Sequence, residues 1–361
     1  MSSEAVPESA PREIRAAGPG PEVDALRSAY LDLLKLSLCD LAGAGTQTIS
    51  WTGDRRVFVR ELEGEQQMGW RTAGRDWPLN ALTMVGLSRL DDVQECVESV
   101  VGDGVEGDLI EAGSWRGGTA MLMRATLDAW GADDRTVWVA DSFKGFPAPE
   151  SDGVAEDREL EADMGPLAYL APSLDQVREH FARFGLERGV KFVPGFFEDT
   201  MEQLRGRRWS VVRLDADTYK ATRLTLEALY PYLAVGGYLI SDDYSLLPAC
   251  QRAIDEFRER HGITEPIEQV DFNGIRWRRE RDDPDLAQRL IPSPESSTPS
   301  PRATVEPAVT RIPTDRELQL EDEIAVLKDR LKNLGADLEA LRGSPFAGPA
   351  AWLARRRSKL P

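Results

Sequence analysis

From Asp108 onward, short apolar runs alternate with amphipathic stretches of helical period. Asp108-Leu-Ile-Glu111, Thr136-Val-Trp-Val-Ala140, Val190-Lys-Phe-Val193, Trp209 to Leu214 and Gly237 to Ser241 have the length and composition of strands. Between and after them, Thr119 to Trp130, Leu174 to Phe184, Thr222 to Leu233 and Pro248 to His261 carry apolar residues at helical spacing. Two further runs, Ile267 to Val270 and Ile275 to Arg278, flank Asp271-Phe-Asn-Gly274, an Asn-Gly hairpin signal. Strand–helix alternation closed by an antiparallel hairpin predicts an α/β domain. Its sheet has seven strands, is mostly parallel and has a reversed last strand.

Upstream, Ala25 to Ala42 has helical spacing, Val57-Phe-Val59 is a short strand, and Ala81 to Gly102 forms one or two helices leading into the core. The core domain is expected over 23–281, after a disordered tail over 1–22 rich in Pro, Gly, Ala and charge. Within it, 147–172 is a long polar insertion. A Pro- and Ser-rich linker covers 282–314. Over 315–343, Leu320, Ile324, Leu327, Leu331, Leu334, Leu338 and Leu341 repeat at spacings of four and three, the seam of a coiled-coil helix. The segment 344–361 is a basic tail.

Composition narrows the function. A formal charge of −18 argues against a general nucleic-acid binder. Cys39, Cys96 and Cys250 lie far apart with no Cys-x-x-Cys, so neither a disulfide framework nor a zinc site is expected and a reducing cytoplasm fits. His180 and His261 lie in charged helical stretches and read as surface residues. No apolar run is long enough for a transmembrane helix, and the N-terminus lacks a basic-then-apolar signal pattern.

The chemistry gathers at strand ends. Asp215 and Asp217 close one apolar run, and Asp242 and Asp243 close the next. In an open parallel sheet, ligands bind beyond the carboxyl ends of the strands, so both pairs aim at one crevice. Such a group of carboxylates needs a cation, a proton or a positive partner. A divalent metal with oxygen ligands, Mg²⁺, is the expected resolution. Upstream, Glu111-Ala-Gly113-Ser-Trp115-Arg116-Gly117-Gly118 joins the first strand of the alternation to its helix. Its glycine spacing is wrong for a dinucleotide fingerprint. A cofactor bearing a carboxylate, such as S-adenosylmethionine, fits the helix N-terminus better. Asp141, ending the second strand, is placed to accept hydrogen bonds from ribose hydroxyls.

These segments, with Val137-Trp-Val-Ala-Asp-Ser-Phe-Lys-Gly-Phe-Pro147, Gly195-Phe-Phe-Glu-Asp-Thr200, Arg213-Leu-Asp-Ala-Asp217 and Gly236-Gly-Tyr-Leu-Ile-Ser-Asp-Asp-Tyr244, resemble the macrocin-type O-methyltransferases. The resemblance covers roughly 24–280 and extends to Asp76-Trp-Pro78 and Thr83-Met-Val-Gly-Leu87. It implies a class I methyltransferase (Rossmann-like) fold, S-adenosylmethionine and Mg²⁺, and an acceptor that is a sugar or a glycosylated natural product. By motif, Asp215, Asp242 and Asp243 bind the metal and Asp217 is the general base; sequence leaves open which of Asp215 and Asp217 is ligand and which is base. Glu111, Gly113, Trp115, Arg116, Gly117, Asp141 and Ser142 line the cofactor. Phe197, with Phe196, either stacks on adenine or packs in the core. The insertion 147–172 corresponds to the family's substrate lid and holds no histidine, so no role of a lid histidine carries over. The resemblance implies homo-oligomers, and the heptads independently point to self-association or another coiled-coil partner. A catechol or phenolic O-methyltransferase and an inactive scaffold with this fold are the competing readings.

Overall fold

The computed structural model describes residues 21–43, 45–51, 57–151 and 153–290. The expected N-terminal tail (but for its last two residues), the linker from 291 onward, the coiled-coil helix and the basic tail lie outside the described residues; the start of the expected linker, 282–290, instead packs on the domain, with Leu286 buried in its core.

The described residues form ten strands: β1 (Gln47–Trp51), β2 (Val57–Glu61), β3 (Trp77–Pro78), β4 (Asp108–Ala112), β5 (Val137–Asp141), β6 (Val190–Pro194), β7 (Trp209–Leu214), β8 (Leu233–Ser241), β9 (Glu268–Gln269) and β10 (Ile275–Arg278). The helices are α1 (Pro21–Leu38), α2 (Gly64–Thr72), α3 (Leu87–Gly102), α4 (Gly118–Ala129), α5 (Ala155–Met164), α6 (Leu174–Phe184), α7 (Phe197–Thr200), α8 (Tyr219–Leu229), α9 (Pro248–His261) and α10 (Leu286–Arg289).

Seven strands form the main sheet in the order β6-β5-β4-β7-β8-β10-β9. β4 to β8 pair in parallel, and β10 runs antiparallel to β8 and to the short edge strand β9. The chain leaves β4 toward β5 and β6, then returns to add β7 and β8 on the other side. β4 and β7 therefore bracket the point where strand order reverses, and the crevice outside their carboxyl ends is where an open α/β sheet binds ligands.

Both faces of the sheet are covered, which is why its strands read as continuous apolar runs rather than alternating ones. Leu109, Val139, Val211 and Ile240 point into a core shared with α1, α3, α4 and α6. Their neighbours Ile110, Ala140, Val212 and Leu239 point to the other face, against α8, α9 and Trp277.

Several boundaries differ from the sequence pattern. α8 stops at Leu229, and Tyr230-Pro-Tyr232 forms a tighter turn, because Pro231 cannot continue an α-helix. β8 starts directly after it. A second sheet, β2-β1-β3, precedes the main domain, and neither β1 nor α2 stands out in the sequence. The insertion is also partly ordered as a helix. α5 is strongly acidic and short, with a weak apolar stripe, so periodicity does not flag it.

Candidate active site

β4, β7 and β8 are neighbours in register, with Glu111 opposite Arg213 and Arg213 opposite Ile240. Their carboxyl ends therefore deliver Glu111, Asp215, Asp217, Asp242 and Asp243 to one place. Arg213 is the hub. Only 1% exposed, it reaches Glu111 Oε1 at 2.7 Å, Asp242 Oδ1 at 2.6 Å and Asp215 Oδ2 at 3.1 Å. A second buried guanidinium, Arg89 from α3, pairs with the other oxygen of Asp242 and with Asp271 of the hairpin at 3.0 Å.

Four carboxylates, Glu111, Asp215, Asp242 and Asp271, pair with these two guanidinium groups, and Asp217 and Asp243 stand beside them, joined through the Asp217 N–H. The charge excess appears in the acidities. Burial raises Asp242, but Arg89 and Arg213 outweigh it and hold its carboxyl below the usual value. Asp215 is raised by burial and by the Asp242 charge. Asp217 and Asp243 stand well above the carboxylate range, again through burial first and the neighbouring aspartates second. Asp215 and Asp217 are only half-buried by surface, yet protein on all sides of the cavity withdraws them from bulk water. Oxygens of Asp215, Asp242 and Asp243 lie within 4.8 Å of one another. Three convergent carboxylates offer the oxygen-only ligand set that a hard divalent cation takes, with Asp242 also paired to Arg89 and Arg213.

Backbone strain singles out the same place. Asp217 has φ of 60°, a left-handed conformation that aspartate tolerates better than most residues. Its N–H donates to Asp243 Oδ2 at 3.3 Å, and Thr218 N–H closes a tight turn on Ala216 O at 2.6 Å.

A cavity of about 550 Å³ opens beside these carboxylates. Gly113, Trp115, Asp141, Ser142, Phe197 and Asp217 are among its walls, as are Pro147, Leu160 and Met164 of the insertion. Asp141 organises the glycine-rich loop. Its Oδ2 accepts from the N–H of Ser114 at 2.8 Å and of Trp115 at 3.1 Å, while Oδ1 accepts from Phe143 N–H at 2.8 Å. Gly113 has φ of 88°, and a Cβ there would lie 1.8 Å from Asp215 O, so the loop passes directly against the aspartate turn. The two halves of the crevice therefore have to be built together.

The family model for macrocin O-methyltransferases (TylF) matches residues 27–279. The chain belongs to this family. The macrocin-type enzyme is 46% identical over 253 residues, 70% of this chain and 93% of the relative, to the 8-demethyl-8-(2,3-dimethoxy-alpha-L-rhamnosyl)-tetracenomycin-C 4'-O-methyltransferase of Streptomyces olivaceus. It is 41% identical over 256 residues, 69% of this chain and 96% of the relative, to the mycinamicin III 3''-O-methyltransferase of Micromonospora griseorubida. The solved structure of the O-methyltransferase NovP superposes with a TM-score of 0.62 at 40% identity, covering 71% of this chain and 100% of that one. The enzyme is an O-methyltransferase, and its class I methyltransferase fold implies S-adenosylmethionine as the methyl donor. No helix among the described residues is long and apolar enough to cross a membrane.

Of the sequence-derived positions, Gly113, Trp115, Asp141, Ser142, Phe197, Asp215, Asp217, Asp242 and Asp243 all meet at the cavity. Phe197 does so while also packing against the core. Three lie elsewhere. Glu111 is buried, bonded to Arg213 and to the α4 amide of Ala120 at 3.0 Å, and burial pushes it up to about 8 against the pull of Arg213. Arg116 turns away from the cavity and donates to Leu79 O and Ala81 O, both at 2.8 Å. Gly117 is glycine for packing: its φ is 86°, and a Cβ would come within 2.8 Å of Phe181. His180 is half-buried rather than free on the surface, with Nδ1 3.1 Å from Arg116 O.

Sequence reasoning passed over Arg213 and Arg89 as site residues of the macrocin-type enzyme. The first had a signal: an arginine in the middle of an apolar strand demands acidic partners. Arg89 had none, because its partners lie far away in sequence. The hairpin tip was identified as a turn, but not as the wall that Phe272 and Asn273 make beside the cavity.

Proposed function

We propose that this enzyme transfers the methyl group of S-adenosylmethionine to a hydroxyl of a sugar or glycosylated natural product, with Mg²⁺ held by Asp215, Asp242 and Asp243. The observation that carries the reading is the trio of carboxylates within 4.8 Å of one another beside the cavity, with more negative charge than Arg89 and Arg213 balance. The acceptor class draws support from a relative whose name specifies a rhamnosyl tetracenomycin, matched over 93% of its length.

When bound, the metal would lower the pKa of an acceptor hydroxyl and orient it. Asp217 is the base that takes the hydroxyl proton. Its place supports the role: it lines the cavity, and its N–H is tied to Asp243, one of the proposed ligands. Gly113, Trp115, Asp141, Ser142 and Phe197 hold the methyl donor on the β4–β5 side. The insertion shields the reacting groups from water and supplies apolar contacts to the acceptor. A cytoplasmic setting is in keeping with three buried cysteines that are free thiols. We also propose that the enzyme self-associates. The heptads at 320–341 and the apolar residues that α1 exposes, Leu26 at 72% and Leu33 at 60%, support this.

The test is calorimetric titration of S-adenosylmethionine and then Mg²⁺ into the protein, repeated on Asp242→Asn. The reading expects donor binding in both and Mg²⁺ binding only in the parent. Donor binding with no Mg²⁺ binding in the parent would remove the metal. An absence of donor binding would remove the activity altogether.

A further inference from the structure

The insertion does more than cover the cavity. Asp157 of α5 is 3% exposed, although it lies in a helix rich in solvated acids. Its carboxylate is aimed at the start of α8. Oδ1 accepts from Tyr219 N–H at 2.8 Å, and Oδ2 accepts from Lys220 N–H at 3.0 Å. The next amide, Ala221 N–H, is taken by the helix's own cap, Thr218 Oγ1, at 3.1 Å. A helix N-terminus leaves its first amides without partners inside the helix. Here one comes from the local chain and two from a residue more than sixty positions away.

What stands directly before these amides gives the arrangement its meaning. Asp217 immediately precedes the Thr218 cap, in a left-handed conformation that costs energy for any residue with a side chain. Such a conformation persists only where its surroundings hold it. Asp243 holds it from one side through the Asp217 N–H, and the first turn of α8 holds it from the other. That turn is complete only while α5 is docked.

We propose that Asp157 is a positioning residue, which completes the N-terminus of α8 and so fixes the Asp217 turn only when the 147–172 segment is closed over the cavity. Coverage of the acceptor and readiness of the base are then one event. An uncovered site has a loosened base, which guards the methyl donor against transfer to water. The anchors around Asp157 serve docking alone. Glu156 pairs with Arg252 at 2.8 Å on the outer face, and Tyr169 donates to Pro78 O at 2.6 Å while its ring packs between Trp77 and Trp115. This inference rests on Asp217 being the base.

The experiment compares Asp157→Ala, Asp157→Asn and Glu156→Ala by steady-state kinetics and by amide hydrogen exchange, with and without S-adenosylhomocysteine. Loss of the two charged caps is expected to lower kcat about tenfold in Asp157→Ala, equivalent to ~1.4 kcal/mol in the barrier. Asp157→Asn, which keeps an oxygen acceptor, should recover part of that. Glu156→Ala removes one exposed docking pair of small worth and keeps the Asp157 caps, so α5 stays largely docked and kcat should fall by less than about twofold. Exchange at Tyr219 and Lys220 should rise strongly in Asp157→Ala and only slightly in Glu156→Ala. The proposal is overturned if Asp157→Ala raises KM with kcat unchanged, or if those two amides stay as protected as in the parent. Exchange is read without turnover, so protected amides would sink this inference even in an active enzyme, whereas failure of the parent to turn over would sink the assigned reaction instead.

Discussion

Arg213→Met removes the one group that three carboxylates share. Methionine fills a similar volume without charge, so the perturbation is electrostatic more than steric. In the parent, Arg213 contacts Glu111, Asp215 and Asp242 at 2.7, 3.1 and 2.6 Å with 1% of its surface exposed. Stranding a buried charge by deleting its partner costs about 3–5 kcal/mol. Against a typical total of ~5–15 kcal/mol, that is a large fraction of the fold's stability. The loss should depend on pH in a stated direction. Burial pushes Glu111 up to about 8 even with the guanidinium present. An acid whose folded pKa is raised binds its proton more tightly when folded, so stability falls as pH rises from the unfolded value toward the folded one. In the parent that fall ends near pH 8. Without Arg213 the folded pKa climbs further, so the variant keeps losing stability from pH 8 to 9 while the parent no longer does through this group. Urea unfolding at pH 6 and 9 reads both effects. Adding Glu111→Gln should restore part of the loss and remove the extra slope. The reasoning is refuted if Arg213→Met lies within about 1 kcal/mol of the parent, or if the double variant is no more stable than the single one.

Asp92 offers a second pH signature. One of its oxygens pairs with Arg276 at 2.9 Å while the other is buried without a hydrogen-bond partner, and burial pushes the group up to about 6. Its ionisation therefore removes stability between about pH 4 and 6, and Asp92→Asn should flatten that interval without lowering stability at pH 8, where Glu95 and Glu268 still pair with Arg276. A steeper loss in the variant over that interval, measured by thermal unfolding, would contradict the assignment. Deleting 315–361 should lower the solution mass by light scattering if the heptads join copies of the chain. An unchanged mass leaves them for another protein or for the body of the enzyme itself.

The sheet was readable because both its faces are covered: strands such as Val211-Val-Arg-Leu214 appear as apolar runs, and their ends appear as sudden carboxylates. From that much follow the strand count, the reversed last strand and the convergence of Asp215, Asp217, Asp242 and Asp243. The allocation of charge within the cluster was not readable, because it depends on which distant groups share each carboxylate. Glu111 and Arg213 lie 102 positions apart in the chain and 2.7 Å apart in space. A glutamate at the end of a strand beside a glycine-rich loop has the same sequence appearance whether it faces a ligand or an arginine. Arg116 illustrates the same limit, since only the fold brings the carbonyls of Leu79 and Ala81 to it. The helix of the insertion was hidden for a different reason. α5 is held by what it docks on, through Asp157 against α8 and Leu160 and Met164 against the cavity, and not by an apolar stripe of its own. A segment whose order depends on docking can open without unfolding the sheet beneath it. On the coupling proposed above, two tasks are then separate: the rigid strand ends gather the carboxylates, and the weakly patterned insertion sets when they are brought into use.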